Sequence, residues 1–175
     1  MRVREVMTEG VITVGSEERV LQAAQKIAGR HIGGVFVVEG DVVLGKVSRS
    51  DLLQAVFPSY EEFYDDLIHS IDFEQIQHRV RELAGLRVRE VMQPAGVTVN
   101  PDMHVMKVAA LMVVREIHRV PVVDSTGRFC GVVSRGDIFD RLIDAEFATV
   151  RVLGGERDAV REVVRGARRP ARQTA

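Results

Sequence analysis

The side chains best suited to hold a small molecule form two copies of one short pattern. Ser48 and Asp51 stand three residues apart, and Ser134 and Asp137 repeat that spacing. Each pair follows a valine-rich run and precedes a segment of helical periodicity, so each aspartate is expected at the start of a helix, where it can also cap the helix. A carboxylate there accepts hydrogen bonds from two neighbouring hydroxyls, as on a ribose, and the serine donates to a hydroxyl or a phosphate.

The two pairs belong to a repeat that covers most of the chain. The hexapeptide Arg-Val-Arg-Glu-Val-Met occupies residues 2–7 and recurs, letter for letter, at residues 87–92, an offset of 87 − 2 = 85. The valine-rich segments 35–38 and 120–123 keep that offset. The offset then becomes 86, because the turn at 124–127 is one residue longer than its counterpart, a change that a hairpin tolerates. The chain therefore contains two copies of one structural unit.

Each copy predicts a short strand, a helix, a hairpin and a final helix. In the first copy we expect a strand at 11–14, a helix capped by Ser16, and hairpin strands at 35–38 and 42–47 around a turn at Gly40. The helix is expected to present four apolar residues on one face, which are Val20, Leu21, Ala24 and Ile27.

The second copy predicts the same elements with different helix signals. Asn100 is expected to cap the helix, with Pro101 in the first helical position. Strands are predicted at 97–99, 120–123 and 129–133, with a glycine in the hairpin turn. The apolar face of the helix is expected to comprise Val105, Val108, Ala109 and Met112.

Residues 58–86, between the copies, predict a helical hairpin. Pro58 ends the preceding helix, and Ser59 opens a capping box for the next one. A second helix is expected from Asp72 to about Gly85. The insert carries more apolar and aromatic side chains than a hairpin buries alone, which predicts a homodimer with isologous contacts.

The composition excludes several classes of protein. Of the 175 residues, 46% are hydrophobic and 28% are charged, the balance of a globular protein. The net charge of −1 predicts no bulk attraction to nucleic acid or to anionic membranes, and no apolar run is long enough for a membrane span or a secretory signal. Cys130 is the single cysteine, which excludes disulfide frameworks and favours the cytoplasm. The histidines show no metal-ligand spacing, so no metal site is expected.

Together these motifs resemble a pair of cystathionine-β-synthase (CBS) domains, the tandem also called a Bateman module. The resemblance rests on an opening Val-x-x-Val-Met, a Thr-Val strand, a valine-rich strand and a closing Gly-x-Val-Ser-x-x-Asp, in this order and twice over. It implies an α/β (α+β) fold in which two β-α-β-β-α repeats pack by pseudo-two-fold symmetry. The expected segments are repeat 1 (1–57), the helical insert (58–86), repeat 2 (87–147) and an Arg-rich, partly disordered tail (148–175).

The resemblance also implies two ligand clefts, each combining the Ser/Asp pair of one repeat with strand residues of the other. Cleft A is expected to comprise Ser48, Ser50, Asp51, Thr98, Ile117, His118 and Arg119. Cleft B, expected to bind more weakly, comprises Thr13, Ile32, Gly33, Gly34, Ser134 and Asp137. Cleft A is better equipped because it alone contains the His118-Arg119 pair, and the planar fork of arginine suits phosphate. Arg49 and Arg135 are further candidates for phosphate contacts.

Pairs of this kind typically bind adenosine-containing ligands, so the sequence is interpreted as a regulatory module for AMP, ADP, ATP or another adenosyl compound. The module would need no further cofactor and would relay its occupancy to an unknown partner protein. The chain contains no Gly-rich phosphate loop, nucleophile elbow or His-Glu-x-x-His motif, so we assign no catalytic residue. Two alternatives remain: an interaction protein with vestigial clefts, and a nucleic-acid adaptor that uses the Arg-rich tail.

Overall fold

The computed structural model describes residues 1–57 and 73–152. Residues Met1–Arg135 form one compact unit, and a second unit begins at Gly136. The strands of the described ranges form one four-stranded and one two-stranded sheet. The mixed α/β fold class that the sequence predicts is confirmed.

The first repeat has the predicted order of elements. Strand β1 (Thr13–Val14) runs parallel to β2 (Gly34–Glu39), which pairs antiparallel with β3 (Val42–Ser48). Helix α1 (Val20–Gly29) connects β1 to β2, and α2 (Arg49–Val56) follows β3 directly. Gly40 turns the hairpin with a φ of +57°, a conformation that favours glycine, so the predicted turn is confirmed.

The second repeat follows the same plan. After α3 (Phe73–Gly85) come the short helix α4 (Val88–Val91), strand β4 (Gln93–Pro94) and helix α5 (Val105–Val114). Strand β5 (Arg119–Val123) pairs antiparallel with β6 (Phe129–Ser134), and α6 (Arg135–Val152) begins where β6 ends. The strand predicted at 97–99 is reduced to one parallel bridge, between Val99 and Val122.

The four-stranded sheet combines three strands of the first repeat with one of the second, since its order is β1-β2-β3-β4. Lys46 of β3 pairs with Gln93 of β4. The equivalent contact in the other sheet is an antiparallel bridge between Thr8 and Val132 of β6. Each sheet is thus extended by the segment that leads into the opposite repeat.

Each copy of the hexapeptide packs against the opposite repeat. We call residues 2–7 the first arm and residues 87–92 the second arm. In the first arm, the N–H of Val3 donates to the carbonyl oxygen of Met103 at 3.0 Å. In the second arm, the N–H of Val88 donates to the carbonyl oxygen of Glu18 at 2.9 Å. Both valines are fully buried, and Val88 belongs to the hydrophobic core of the first repeat. Each arm therefore packs in the other repeat.

The arginines of the arms make equivalent contacts on both sides. Arg2 donates to the carbonyl oxygen of Asp102 at 2.7 Å, and Arg4 forms an ion pair with the carboxylate of the same residue. The two arginines of the second arm do the same at Glu17, again with 2.7 Å to its carbonyl oxygen. The identity of the two hexapeptides thus has a structural cause, because both copies serve the same set of contacts.

The predicted cap of α1 is wrong. The helix begins after Arg19, and the Ser16 hydroxyl donates instead to Oε1 of Glu39 at 2.6 Å. The predicted apolar face is also wrong at Leu21, which is 47% exposed, because Ala23 takes the buried position. A tertiary hydrogen bond to the end of β2 has replaced the local cap.

The predicted cap of α5 is wrong for a local reason. Asn100 accepts a hydrogen bond from the N–H of Asp102 at 2.9 Å, a side-chain turn that competes with helix formation. The cap is His104, four residues after the predicted Asn100, so Pro101 lies outside the helix. The apolar face is confirmed at its three fully buried positions, which are Val105, Val108 and Met112.

The insert is described only from its second helix onward. Helix α3 ends at Gly85, as predicted, and packs against α1 and α2. The predicted first helix of the insert, with its Pro58 and Ser59 signals, lies outside the described residues, as does the tail from residue 153 onward. Within the described ranges, no helix is both long and apolar enough to cross a lipid bilayer.

Candidate functional site

Ser48 and Asp51 meet at the junction of β3 and α2. Ser48 caps α2, since its Oγ accepts from the Asp51 N–H at 3.2 Å. In return, Oδ2 of Asp51 accepts from the N–H of Ser48 at 2.8 Å and from its hydroxyl at 2.7 Å. The expectation that Asp51 caps the helix is therefore wrong: the serine holds the cap position, and the aspartate completes the reciprocal capping box.

This capping box leaves part of the Asp51 carboxylate available to a ligand. The side chain is half-buried, and nothing in residues 1–57 or 73–152 donates a hydrogen bond to its Oδ1. A carboxylate offers roughly four lone-pair positions, of which the two bonds from Ser48 use two on Oδ2. Helix capping and hydroxyl binding thus use different oxygen positions of one side chain and are compatible.

Gly33 and Gly34 lie where β2 comes very close to β3. Gly34 stands opposite Ser48, and a Cβ added to it would lie 2.6 Å from the carbonyl oxygen of Val47 and 2.9 Å from Cα of Ser48. A Cβ added at Gly33 would meet nothing within 4 Å. The second glycine is therefore required by backbone packing, and its position does not accommodate a larger side chain.

His118 and Arg119 occupy the equivalent positions in the second repeat. Arg119 is the first residue of β5, stands opposite Ser134 and is exposed. His118 is also exposed, and its carbonyl oxygen accepts the N–H of Arg135 at 3.1 Å. The strand register thus brings this pair next to the serine of its own repeat. Its predicted combination with the Ser/Asp pair of the first repeat stays a prediction.

Arg135 makes backbone contacts that its sequence position did not reveal. Its Nε donates to the carbonyl oxygen of Ile117 at 2.9 Å, and its Nη2 donates to that of Met112 at 2.6 Å. Met112 lies in the last turn of α5, where carbonyl groups lack helical partners and the helix dipole favours a cation. Arg49, its counterpart, is exposed, and its side chain has no hydrogen bond or ion pair within the described ranges.

The other residues assigned to cleft A lie at the ends of elements. Ser50 is exposed in the first turn of α2, and Thr98 is exposed beside the Val99 bridge. Ile117 is half-buried, and its N–H donates to the carbonyl oxygen of Met112 at 2.9 Å. Of these three residues, only Ile117 adjoins the His118-Arg119 pair along the chain, and the combination of the pair with Ser50 and Thr98 stays a prediction.

The residues assigned to cleft B are more involved in structure. Thr13 begins β1, and its carbonyl oxygen accepts from Nζ of Lys26 at 3.2 Å. Ile32 packs against the hydrophobic core of the first repeat. Ser134 ends β6 and Asp137 lies in the first turn of α6, each with polar partners of its own.

Glu39 is a carboxylate that the sequence analysis did not single out. Its Oε1 accepts from the hydroxyl of Ser16 and from the Ser16 N–H at 2.7 Å, and these two bonds hold the pKa of Glu39 below its usual value. In the second repeat Pro101 replaces Ser16 and has no N–H to donate. The equivalent Asp124 bonds within its own turn, chiefly to the hydroxyl of Thr126, which likewise lowers its pKa.

Neither the acidic nor the sulfur-containing side chains of the described ranges form a metal centre. No group of three or more His, Cys, Asp or Glu side chains there is arranged to hold an ion. Cys130 is half-buried in β6, where its Sγ lies 3.4 Å from the carbonyl oxygen of Arg128. The described site is therefore one of hydrogen-bond donors, acceptors and cations.

The family model for the CBS domain matches residues 3–58 and 88–144, which correspond to the two repeats. An uncharacterized protein of Methanocaldococcus jannaschii is 31% identical over 116 residues, covering 66% of this chain and 68% of that protein. A CBS-pair protein of Arabidopsis thaliana, solved in complex with AMP, is 23% identical with a TM-score of 0.64 over 83% of this chain and 98% of that one.

A further solved structure is a CBS domain pair in complex with 5′-methylthioadenosine and S-adenosyl-L-methionine. It is 21% identical, with a TM-score of 0.58 over 83% of this chain and 98% of that one. The two structural neighbours share the fold described above. The predicted resemblance is confirmed, and the chain belongs to the CBS-domain family.

Proposed function

We propose that this protein is a non-catalytic regulatory module that binds an adenosyl compound and passes its occupancy to a partner protein. AMP, ADP and ATP are the first candidates for the ligand. Two solved proteins of the same fold hold AMP, or 5′-methylthioadenosine with S-adenosyl-L-methionine, which supports this ligand class. The relay to a partner is the part of the proposal that rests on the family resemblance alone.

The observation that carries the proposal is the state of Asp51. Its capping box with Ser48 fixes the carboxylate at the first turn of α2, and Oδ1 retains its acceptor capacity within the described ranges. A fixed acceptor of this kind suits two vicinal hydroxyls, since a charge-assisted hydrogen bond to each is stronger than one between neutral groups. Ribose is the part of an adenosyl ligand that presents such hydroxyls.

We propose that phosphate-bearing ligands occupy cleft A before cleft B. Arg119 and His118 are exposed at the start of β5, where a phosphate can reach them from solvent. The equivalent place in the first repeat offers no cation, and the contact between Gly34 and Val47 supports the weaker assignment of cleft B. Cleft A therefore combines the ribose acceptor with the phosphate donors.

We further propose that the module acts as a homodimer in the cytoplasm. Helix α5 exposes apolar side chains on its outer surface, and exposed patches of this kind mark interfaces. Their exposed fractions are 51% for Met106, 68% for Val113 and 78% for Val114. Light scattering at tens of micromolar tests the assembly, and a monomeric mass would contradict it.

Asp51→Asn tests ribose recognition separately from helix capping. Asparagine keeps one oxygen for the capping box but loses the charge and the second oxygen. Each charge-assisted bond lost is worth roughly 1.5–3 kcal/mol, so we expect AMP affinity to fall about 10- to 150-fold. The melting temperature of the unliganded protein should stay nearly normal, because the amide oxygen of asparagine can still accept the two bonds from Ser48 that complete the capping box.

Asp137→Asn is the matched control, since it makes the same change in the poorer cleft. Calorimetric titration of AMP into both variants should show normal tight binding in Asp137→Asn. Unchanged AMP affinity in Asp51→Asn would contradict the assignment of Asp51 to the ribose hydroxyls. The class of ligand is tested first by a thermal-shift screen, since a ligand at 100 times its Kd stabilises by about 2.7 kcal/mol.

A further inference from the structure

Arg135 joins three points of the backbone around the His118-Arg119 pair. Its side chain bonds to the carbonyl oxygens of Met112 and Ile117, and its own N–H donates to that of His118 at 3.1 Å. The residue thus ties the last turn of α5 and the segment before β5 to the end of β6. Its guanidinium is half-buried, so these bonds are made in a partly desolvated setting, where they are stronger than in water.

We propose that Arg135 is a positioning residue, which fixes the turn from Ile117 to Arg119 and thereby confers preference for phosphate-bearing ligands on this site. The inference rests on the proposed adenosyl function and deepens it. It differs from the sequence expectation, in which the Arg135 guanidinium touched the phosphate itself. The guanidinium is instead committed to two carbonyl oxygens, and the phosphate contacts fall to the neighbouring pair.

The segment that Arg135 holds needs support. Glu116, between the two carbonyls that Arg135 binds, has a φ of +56°, a conformation that side-chain-bearing residues rarely adopt. His31 takes the same conformation in the first repeat, with a φ of +52°, and the N–H of Arg49 donates to the carbonyl oxygen of Gly33 at 3.0 Å, as that of Arg135 does to His118. The Arg49 side chain, however, makes no equivalent bonds within the described ranges. The two guanidinium bonds of Arg135, the Arg135 clamp, thus occur in the repeat that carries the cationic pair, and no counterpart is found among the described residues of the repeat that carries two glycines.

A fixed segment matters more for phosphate than for adenosine. An arginine on a mobile turn loses conformational freedom when it binds a phosphate, and this cost reduces affinity. The Arg135 clamp removes part of that cost before the ligand arrives. Adenosine has no phosphate to contact the turn from Ile117 to Arg119, so its affinity depends little on the Arg135 clamp.

Arg135→Ala tests the proposal by two independent measurements. We expect hydrogen exchange in a peptide covering residues 112–120 to be at least about tenfold faster, because bonds to a charged donor are lost there. We also expect the Kd for AMP to rise about tenfold while the Kd for adenosine changes less than about threefold, the size of effect expected from losing one pre-organised contact. Arg135→Lys keeps the charge without the planar fork, and should give intermediate values.

Arg49→Ala is the matched control for the exchange measurement, and it should leave exchange in residues 27–35 unchanged, because the Arg49 side chain makes no hydrogen bonds within the described ranges. Equal weakening of AMP and adenosine by Arg135→Ala, or exchange unchanged from wild type, would overturn the proposal. If Arg135→Ala does not fold, Arg135→Lys decides by the same two readouts. If the wild type binds neither ligand, the proposed function fails, and the exchange measurement alone then supports or overturns the clamp.

Discussion

The beginnings of β2 and β5 occupy equivalent places in the two repeats and carry opposite chemistry. At β2, Gly34 allows the two strands to approach so closely that a Cβ would lie 2.6 Å from a carbonyl oxygen. At β5, Arg119 stands at the equivalent position, pairs with Ser134 and is exposed to solvent. The backbone plan is therefore the same in both repeats, whereas the His118-Arg119 pair stands in only one of them.

The arms give the opposite result, since their contacts are the same on both sides. Val3 and Val88 are both fully buried, and each arm donates a valine N–H to a carbonyl oxygen of the other repeat, at 3.0 and 2.9 Å. The hexapeptide sequence is thus identical in the two copies where it holds the two repeats together. The repeated sequence differs at the beginnings of β2 and β5, where one repeat has two glycines and the other has His118 and Arg119.

The largest effect is expected from making the first repeat more like the second. Gly34→Ala places a Cβ against backbone atoms of Val47 and Ser48, which have no flexible end to move aside. We expect a loss of about 3 kcal/mol or more in the free energy of unfolding, or roughly 6–12 °C in melting temperature. Gly33→Ala, where the added Cβ meets nothing within 4 Å, should change the melting temperature little. Equal melting temperatures of Gly34→Ala and Gly33→Ala would contradict this expectation and show that β2 and β3 can move apart at little cost.

The second-largest effect is expected on ligand affinity at the start of β5. Arg119→Ala removes the cation but leaves the strand, so AMP affinity should fall about 10- to 150-fold and adenosine affinity should hardly change. Calorimetric titration of both ligands measures the difference. If both affinities fall alike, Arg119 supports the structure and the asymmetry between the repeats has another origin.

The third effect tests the equality of the arms. Val3→Ala and Val88→Ala each remove two buried methyl groups, which should cost about 1.6 kcal/mol from lost burial alone. Because the two valines are equally buried, urea unfolding should give the same loss for both variants, within about 0.5 kcal/mol. A much smaller loss in Val3→Ala would mean that the first arm is held less firmly than the second.

The smallest effect is a pH dependence that belongs to the first repeat. The two Ser16 bonds lower the pKa of Glu39 below 4.5, so their stabilisation is present above that pH and is lost as the pH falls through the lowered value. Ser16→Ala should lower the melting temperature slightly at pH 7 and reduce its fall between pH 5 and pH 3, values that bracket the usual range of a Glu pKa. Thr126→Ala, beside Asp124, is the control in the second repeat, and it should leave the Glu39 contribution unchanged.

Local signals allowed the hairpins and the Ser48–Asp51 pair to be predicted from the sequence. Valine-rich strands and the glycine turns, with φ of +57° at Gly40 and +88° at Gly127, depend on near neighbours. The cap predicted at Ser16 is wrong because its hydroxyl bonds to Glu39, 23 residues away. The identical hexapeptides revealed the repeat but not that each packs in the opposite repeat, because the contacts concerned join residues about 70 or 100 positions apart. For the same reason, nothing local revealed that Arg135 bonds to Met112, 23 residues before it.

The exchanged arms have a consequence during protein synthesis. Val3 finds its hydrogen-bond partner at Met103, a separation of 100 residues, whereas the second arm joins a repeat that has already left the ribosome. At about 5–20 residues per second, the first arm waits roughly 5–20 seconds for its partner. During that interval its apolar side chains lack the contacts that bury Val3 in the complete protein. The two identical hexapeptides thus differ in how long each waits for its binding site during translation.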